Sequence, residues 1–273
     1  MAPFLNVWEK MNQTNQKLPS ISIITATYNC VNELPKLIDS LRHQTDKNFE
    51  WIVSDGGSSD GTLDLLEAIN DINIEFISEK DFGIYDALNK ALALSSGEYY
   101  LVAGADDCFA EDAISNFRGA IVKQSFPDIL PARVLYGNYS FEIKQGPSWL
   151  FGCKSFIANH SVGTAFKKEL HERFGLYSSK FPIAADSLFI IKACKGGATL
   201  CKLEFVAGEI GIEGVSAVDW AGSATELFRV QLICGESLFI QTILLILRII
   251  KGASAWMKSL SRSISWFKRE DPL

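Results

Sequence analysis

The sequence predicts an α/β fold in which a mostly parallel central sheet is flanked by helices. Short β-branched runs alternate with amphipathic helical stretches along the chain. Polar and Gly-rich segments follow the strand-like runs directly, where open α/β sheets gather ligands. The 273 residues, 48% hydrophobic and 21% charged, suffice for one large core, or for one domain plus a small appendage.

The elements follow in order. Residues 21–26 are β-branched and read as the first strand, and residues 33–44 as a helix whose Leu34, Leu37, Ile38 and Leu41 share a face. Residues 51–53 form a second strand, 60–69 a helix, 74–77 a third strand and 84–94 a helix. Residues 99–103 make the fourth strand, 113–124 a helix, 134–143 a strand-like run and 185–195 a further helix.

Composition excludes several classes. A net charge of −6 argues against a general nucleic-acid binder, so any phosphate is expected to be held through a metal and backbone amides. Six scattered cysteines lack paired or metal-type spacing and read as reduced thiols of a cytosolic protein. The polar start, residues 1–20, carries no cleavable apolar segment, so a cytoplasmic location is expected. His43 and His171 sit in polar helix-like contexts without a zinc-type cluster, and no Walker loop, serine elbow or dinucleotide fingerprint occurs.

Chemistry is expected at three strand ends. Ala105-Asp106-Asp107 follows the fourth strand, and two carboxylates there repel each other unless a cation lies between them. A hard divalent ion carrying a diphosphate, Mg²⁺ or Mn²⁺ at Asp106 and Asp107, answers that demand. Thr27-Tyr28-Asn29 follows the first strand, and Asp55-Gly56-Gly57-Ser58-Ser59-Asp60-Gly61-Thr62 the second. Asp55 stands where a carboxylate accepts from a base N–H or a ribose hydroxyl, and its glycines let a flat ligand approach. Asp60 reads more simply as a cap for the next helix. Asp86, Asn89 and Lys90 share one helix face, which suits either a polar ligand or solvent.

Taken in order, those segments, with Asp81-Phe82-Gly83-Ile84-Tyr85-Asp86-Ala87-Leu88-Asn89-Lys90 and Ser96-Gly97-Glu98-Tyr99, resemble a family 2 glycosyltransferase from about Ser20 to Ser216. The resemblance implies a GT-A type domain, an inverting mechanism and a nucleoside diphosphate sugar donor. It implies that Asp55 contacts the base or ribose, that Thr27, Tyr28, Glu33, Asp86, Lys90 and Asp106 lie along the nucleotide sugar, and that Asp106 and Asp107 form the metal and diphosphate motif. Asp186, otherwise an ordinary helix cap, matches the family's catalytic base. His160 and Ser216 match segments on the sugar or acceptor side, although a lone His also reads as a hydrogen-bonded structural residue. One departure is Gly104, where many relatives carry another Asp. A non-catalytic nucleotide-sugar-binding module is the alternative function. A nucleotidyltransferase would need a basic, Gly-rich phosphate loop that residues 21–30 lack.

The chain divides into a polar extension at 1–19, a catalytic domain at 20–216 and a helical region at 217–273. Residues 238–250 are apolar but shorter than the ~20 residues a spanning helix needs. On a helical wheel Lys251, Lys258, Arg262 and Arg269 fall within roughly 40°, opposite Trp256, Leu260, Ile264 and Phe267. Such a helix suits an anionic membrane surface at the inner face of the cell membrane, which would bring the enzyme to a polyprenyl-linked saccharide acceptor. Packing on its own domain or on a twin subunit, in a homodimer, is the other reading.

Overall fold

The structure is a computed structural model that describes residues 18–211 and 219–267, with side chains as far as residue 254. Ser216, the first 17 residues, Arg269 and the side chains of Trp256, Lys258, Leu260, Arg262, Ile264 and Phe267 lie outside the described set.

Four strands, β1 (Ile21–Thr27), β2 (Phe49–Asp55), β3 (Ile74–Ser78) and β4 (Tyr99–Val102), lie parallel in the order β3-β2-β1-β4. Short connections complete the strand set: β5 (Cys108–Phe109), β6 (Ile129–Pro131), β7 (Arg133–Tyr136), β8 (Tyr139–Phe141), β9 (Thr164–Lys167) and β10 (Val206–Glu209). The main sheet continues through β9, antiparallel to its neighbours, to β6, so it is mostly parallel as the sequence predicts. The helices are α1 (Leu34–Arg42), α2 (Thr62–Glu67), α3 (Ile84–Leu94), α4 (Ala113–Lys123), α5 (Ser148–Phe151), α6 (Leu170–Phe174), α7 (Ala185–Lys195), α8 (Trp220–Ile233) and α9 (Leu238–Phe267).

Alternation along buried strands sends successive side chains to opposite faces, so the sheet builds two cores. Ile23, Trp51, Val53 and Leu101 pack with Leu34, Leu37, Ile38 and Leu41 of α1 and with Ile114 and Phe117 of α4. Ile24, Ile52, Tyr100 and Val102 pack on the other face with Leu88 and Leu92 of α3 and with Leu188, Phe189 and Ile191 of α7. Burial of whole apolar side chains at about 1.5–3 kcal/mol each makes these two layers the main stabilising term.

One element differs from expectation. Residues 134–143 form a hairpin rather than one strand, because Gly137, at φ 54°, turns the chain so that Tyr136 faces Tyr139. This hairpin joins a second small sheet of order β5-β10-β7-β8.

Polarity is inverted in the α8–α9 hairpin. The inner side carries Gln231, Gln241 and Arg248, which donate to the carbonyls of Ser148, Trp149 and Leu150 and so satisfy the backbone of α5. The outer side of α9 exposes Leu238, Phe239, Ile243, Ile246, Leu247 and Ile250. No described helix is long and apolar enough to cross a membrane.

Candidate active site

The carboxyl ends of β1, β2 and β3 stand side by side, with Thr27 paired to Asp55 and Asp55 to Ser78. Asp55 is fully buried, and its carboxylate accepts from Thr27 Oγ1 (3.0 Å), Gly57 N (3.0 Å), Ser58 N (2.8 Å), Ser58 Oγ (2.5 Å) and Ser78 Oγ (2.8 Å). Burial opposes its charge, but the hydrogen bonds from Ser58, Ser78 and Thr27 outweigh burial and hold the carboxyl below the usual carboxylate range. Asp55 therefore shapes the loop that follows it. Asp60 does similar work: its carboxylate accepts from Thr62 and from Val31 N, tying the β2 loop to the β1 loop. The helix begins at Thr62, after Gly61 at φ 101°, and Asp60 stays outside it.

Above this loop the Asp81 carboxylate and the Tyr28 ring pack directly on Gly56. A Cβ there would lie 2.6 Å from Asp81 Oδ2 and 3.3 Å from the Tyr28 ring. Tyr28 is two-thirds exposed, so a flat polar ring has an aromatic face and a carboxylate available. Asp81 was not singled out as a site residue by sequence reasoning, because only the fold brings it to Gly56. Glu33 is half-buried just before α1. Asp86 and Lys90 pair with each other at 3.3 Å, and Lys90 also pairs with Glu79 at 2.8 Å. Asn89 leaves that face and bonds the backbone of Tyr177 in both directions, at 2.8 and 3.0 Å.

After β4 the two acidic neighbours have separate surroundings. Asp107 is 3% exposed and accepts from Gly104 N (2.6 Å), Gly211 N (2.8 Å) and Ser161 Oγ. Burial raises its carboxyl above the ordinary value despite those bonds, a shift that a nearby cation would reverse. Asp106 is more open, and its carboxylate rests against the bare Cα of Gly211, where any Cβ would collide with it. A Cβ on Gly104 would stand 3.0 Å from Asp107 Oδ2 and 3.1 Å from Asp106 Oδ1. The donor set is all oxygen and suits a hard cation. The described residues hold no group of three His, Cys, Asp or Glu able to cage a metal. What fits is an ion that arrives with its phosphates and takes one or two carboxylates.

Asp186 opens α7. Its Oδ1 lies 2.9 Å from the Tyr85 hydroxyl and accepts from Ser187 N at 2.6 Å. Burial and the neighbouring Asp186 charge hold the Tyr85 hydroxyl well above its usual range, so it remains a protonated donor. The amino end of α7 is capped from α8, where buried Glu226 accepts from Ile183 N (2.9 Å) and Ala184 N (2.8 Å). Tyr85, Ser161, Gly211 and Glu226 escaped sequence reasoning, since each acts on a residue distant in the chain. Consecutive residues reach towards the two acidic positions: Ser161 bonds Asp107, while His160 bonds Tyr177, whose ring lies 5.5 Å from that of Tyr85, the hydroxyl beside Asp186.

The mostly parallel sheet, with acidic loops at its carboxyl edge, has the fold of GT-A type glycosyltransferases. The chain belongs to glycosyl transferase family 2, whose model matches residues 22–189. It is 30% identical over 179 residues to a PGL/p-HBAD biosynthesis glycosyltransferase of Mycobacterium bovis, covering 64% of this chain and 69% of that protein. Among solved structures, TarS of S. aureus superposes with a TM-score of 0.63 at 20% identity, over 83% of this chain and 42% of TarS. A shorter TarS form was solved with UDP-GlcNAc. A Pyrobaculum calidifontis mannosyltransferase, in complex with GDP-Man and Mn²⁺, superposes with a TM-score of 0.62 at 18% identity, over 98% of this chain and 89% of that one.

Proposed function

We infer that this glycosyltransferase moves a sugar from a nucleoside diphosphate sugar to a hydroxyl of a saccharide acceptor, with inversion. The observation that carries this reading is that Ser161 bonds Asp107 while its neighbour His160 bonds Tyr177, whose ring lies 5.5 Å from that of Tyr85, the hydroxyl partner of Asp186; this supports one site built from the acidic loop and Asp186. In this reading residues 20–216 form the catalytic domain. The nucleotide lies along the carboxyl edge of β1 and β2, with Tyr28 and Asp81, packed on Gly56, at the base and Thr27, Asp55, Glu33, Asp86 and Lys90 shaping or lining its path. Donor complexes of the two structural neighbours support a nucleotide-sugar donor.

Asp186 takes the proton of the acceptor hydroxyl as its oxygen attacks the anomeric carbon. The new C–O bond forms on the face opposite the diphosphate, whose bond to the anomeric carbon breaks, and the nucleoside diphosphate leaves with the electron pair. The Tyr85 hydroxyl, which the Asp186 carboxylate shares with the Ile183 carbonyl oxygen, each at 2.9 Å, positions that carboxylate for this step. Asp106, resting against Gly211, which the buried Asp107 holds through its backbone N–H, would hold Mg²⁺ or Mn²⁺ against the phosphates. A divalent ion there offsets the charge growing on the leaving group.

The outward apolar face of α9 supports contact with the inner face of the cell membrane and hence a polyprenyl-linked acceptor in surface polysaccharide assembly. The alternative, a non-catalytic nucleotide-sugar-binding module, is favoured only by Gly104, which leaves the acidic loop one carboxylate short of the common family pattern. One experiment separates them: donor binding by calorimetry with UDP, GDP and dTDP sugars, with and without Mn²⁺, alongside transfer by Asp186→Asn. Retained binding with transfer reduced about 10²–10⁴-fold supports the base. Transfer equal to that of the parent removes Asp186 from that role, and binding without any turnover by the parent selects the alternative.

A further inference from the structure

Two histidines and two tyrosines form one continuous hydrogen-bonded chain in the second core, and its direction can be read. His171 Nδ1 lies 3.1 Å from the carbonyl oxygen of Gly175, which only accepts, so Nδ1 carries the proton and Nε2 is the lone-pair nitrogen. The Tyr100 hydroxyl, 2.7 Å from that Nε2, therefore donates to it. With the proton of Tyr100 engaged, the Tyr177 hydroxyl 2.8 Å away must donate to Tyr100. Tyr177 then has no proton for His160, whose Nε2 lies 2.7 Å away and must be the donor. Nδ1 of His160 is consequently its accepting nitrogen. Burial disfavours the charged form of both rings, taking His171 to about 4 and lowering His160 against the pull of Asp186.

The surroundings hold this chain rigidly. His171 stacks on Phe189 of α7 with centroids 4.2 Å apart, and Asn89 clamps the Tyr177 backbone. Beside His160 the backbone is strained: Val162, buried and β-branched, sits at φ 60°. Strain of that kind persists only where surrounding structure enforces it, and it clusters at functional sites.

We propose that the His171–Tyr100–Tyr177 chain fixes His160 in the tautomer whose Nδ1 accepts a hydrogen bond from a sugar hydroxyl beside Asp186. Tyr177, Tyr100 and His171 are thus positioning residues for the transfer, and the role of that hydroxyl rests on the reading of Asp186 as the base. The hydroxyl belongs either to the transferred sugar or to the acceptor, which present the same chemistry.

The chain contains three histidines, so long-range ¹H–¹⁵N spectra of the ¹⁵N-histidine-labelled full chain resolve each ring. His160 is expected as the Nε2–H form and His171 as the Nδ1–H form. In Tyr100→Phe the proton of Tyr177 turns to His160, whose tautomer inverts, and kcat falls about tenfold while the donor KM holds. In Tyr177→Phe, a second variant that guards against misfolding of the first, His160 becomes a mixture and His171 stays unchanged. The same tautomer at both rings of the parent overturns the proposal, as does a Tyr100→Phe protein that keeps the parental His160 tautomer or the parental kcat. A shift of the His160 Nδ1 resonance with UDP-GlcNAc or GDP-mannose, absent with UDP or GDP, assigns the hydroxyl to the transferred sugar; a shift only when a saccharide acceptor is added assigns it to the acceptor, and no shift under either condition overturns the proposal. The tautomers are read without substrate, so an active Asp186→Asn enzyme would undo the catalytic reading and leave this measurement standing.

Discussion

At the scale of single residues, acidic side chains in this enzyme divide between those that stay partly open and those buried under hydrogen bonds. Asp55 belongs to the second kind, with five donors on one buried carboxylate. Asp55→Asn turns an amide nitrogen towards some of those donors and is expected to cost about 2 kcal/mol. Because the folded carboxyl titrates below its unfolded value of about 4, its stabilisation is complete above that value and is lost as the pH falls through the lower, folded one. Urea unfolding should therefore show a penalty that is large at pH 7 and shrinks under acid; a penalty constant with pH would refute the assignment. Gly211 tests the acidic loop. Gly211→Ala places a methyl group in the Asp106 carboxylate, and calorimetry should show donor affinity in Mn²⁺ reduced about tenfold with the fold intact. These two residues also mark what could be read in advance. Asp55 and Asp106 were legible as strand-end carboxylates, whereas Gly211 was not, since its partner lies about a hundred residues away and glycine carries no chemical signature.

At the scale of elements, α7 carries Asp186 and depends on α8 for its start. Glu226 satisfies two backbone N–H groups that otherwise end buried and unpaired at the amino end of α7. Glu226→Ala is expected to cost about 1–2 kcal/mol and to lower kcat through a loosened Asp186, while donor affinity stays at the parental level. Equilibrium unfolding and steady-state kinetics on the same preparation check both halves of that expectation. The helices α1, α3 and α4 were legible because an amphipathic period accumulates over many residues, and α7 as an apolar run of helical length. Strands of two to four residues such as β5, β6 and β10 offer no such period, and the β7–β8 turn hid inside a run that alternates like one strand.

On the scale of the whole molecule, α9 turns its apolar side away from the protein and its polar side towards α5, the reverse of an ordinary surface helix. We propose a lipid surface as the partner of that face. Vesicles rich in anionic lipid should sediment the full chain, and Ile246→Glu with Ile250→Glu should reduce that binding about tenfold or more while leaving donor binding unchanged. Failure of the parent to sediment, with a concentration-dependent dimer that the same two substitutions dissociate, would give the face to a second copy instead.

Sequence alone determined the sheet order's parallel character, the family and the strand-end positions of Thr27, Asp55, Asp106 and Asp107, because alternation, helical period and local spacing are properties of neighbouring residues. Tertiary structure alone decided that Asp107 is sealed while Asp106 is more open, that Tyr85 and Glu226 serve Asp186, and that His160 hangs from a chain ending at Gly175. Those arrangements depend on hydrogen bonds between residues far apart in the chain, whose geometry exists only once both cores have packed.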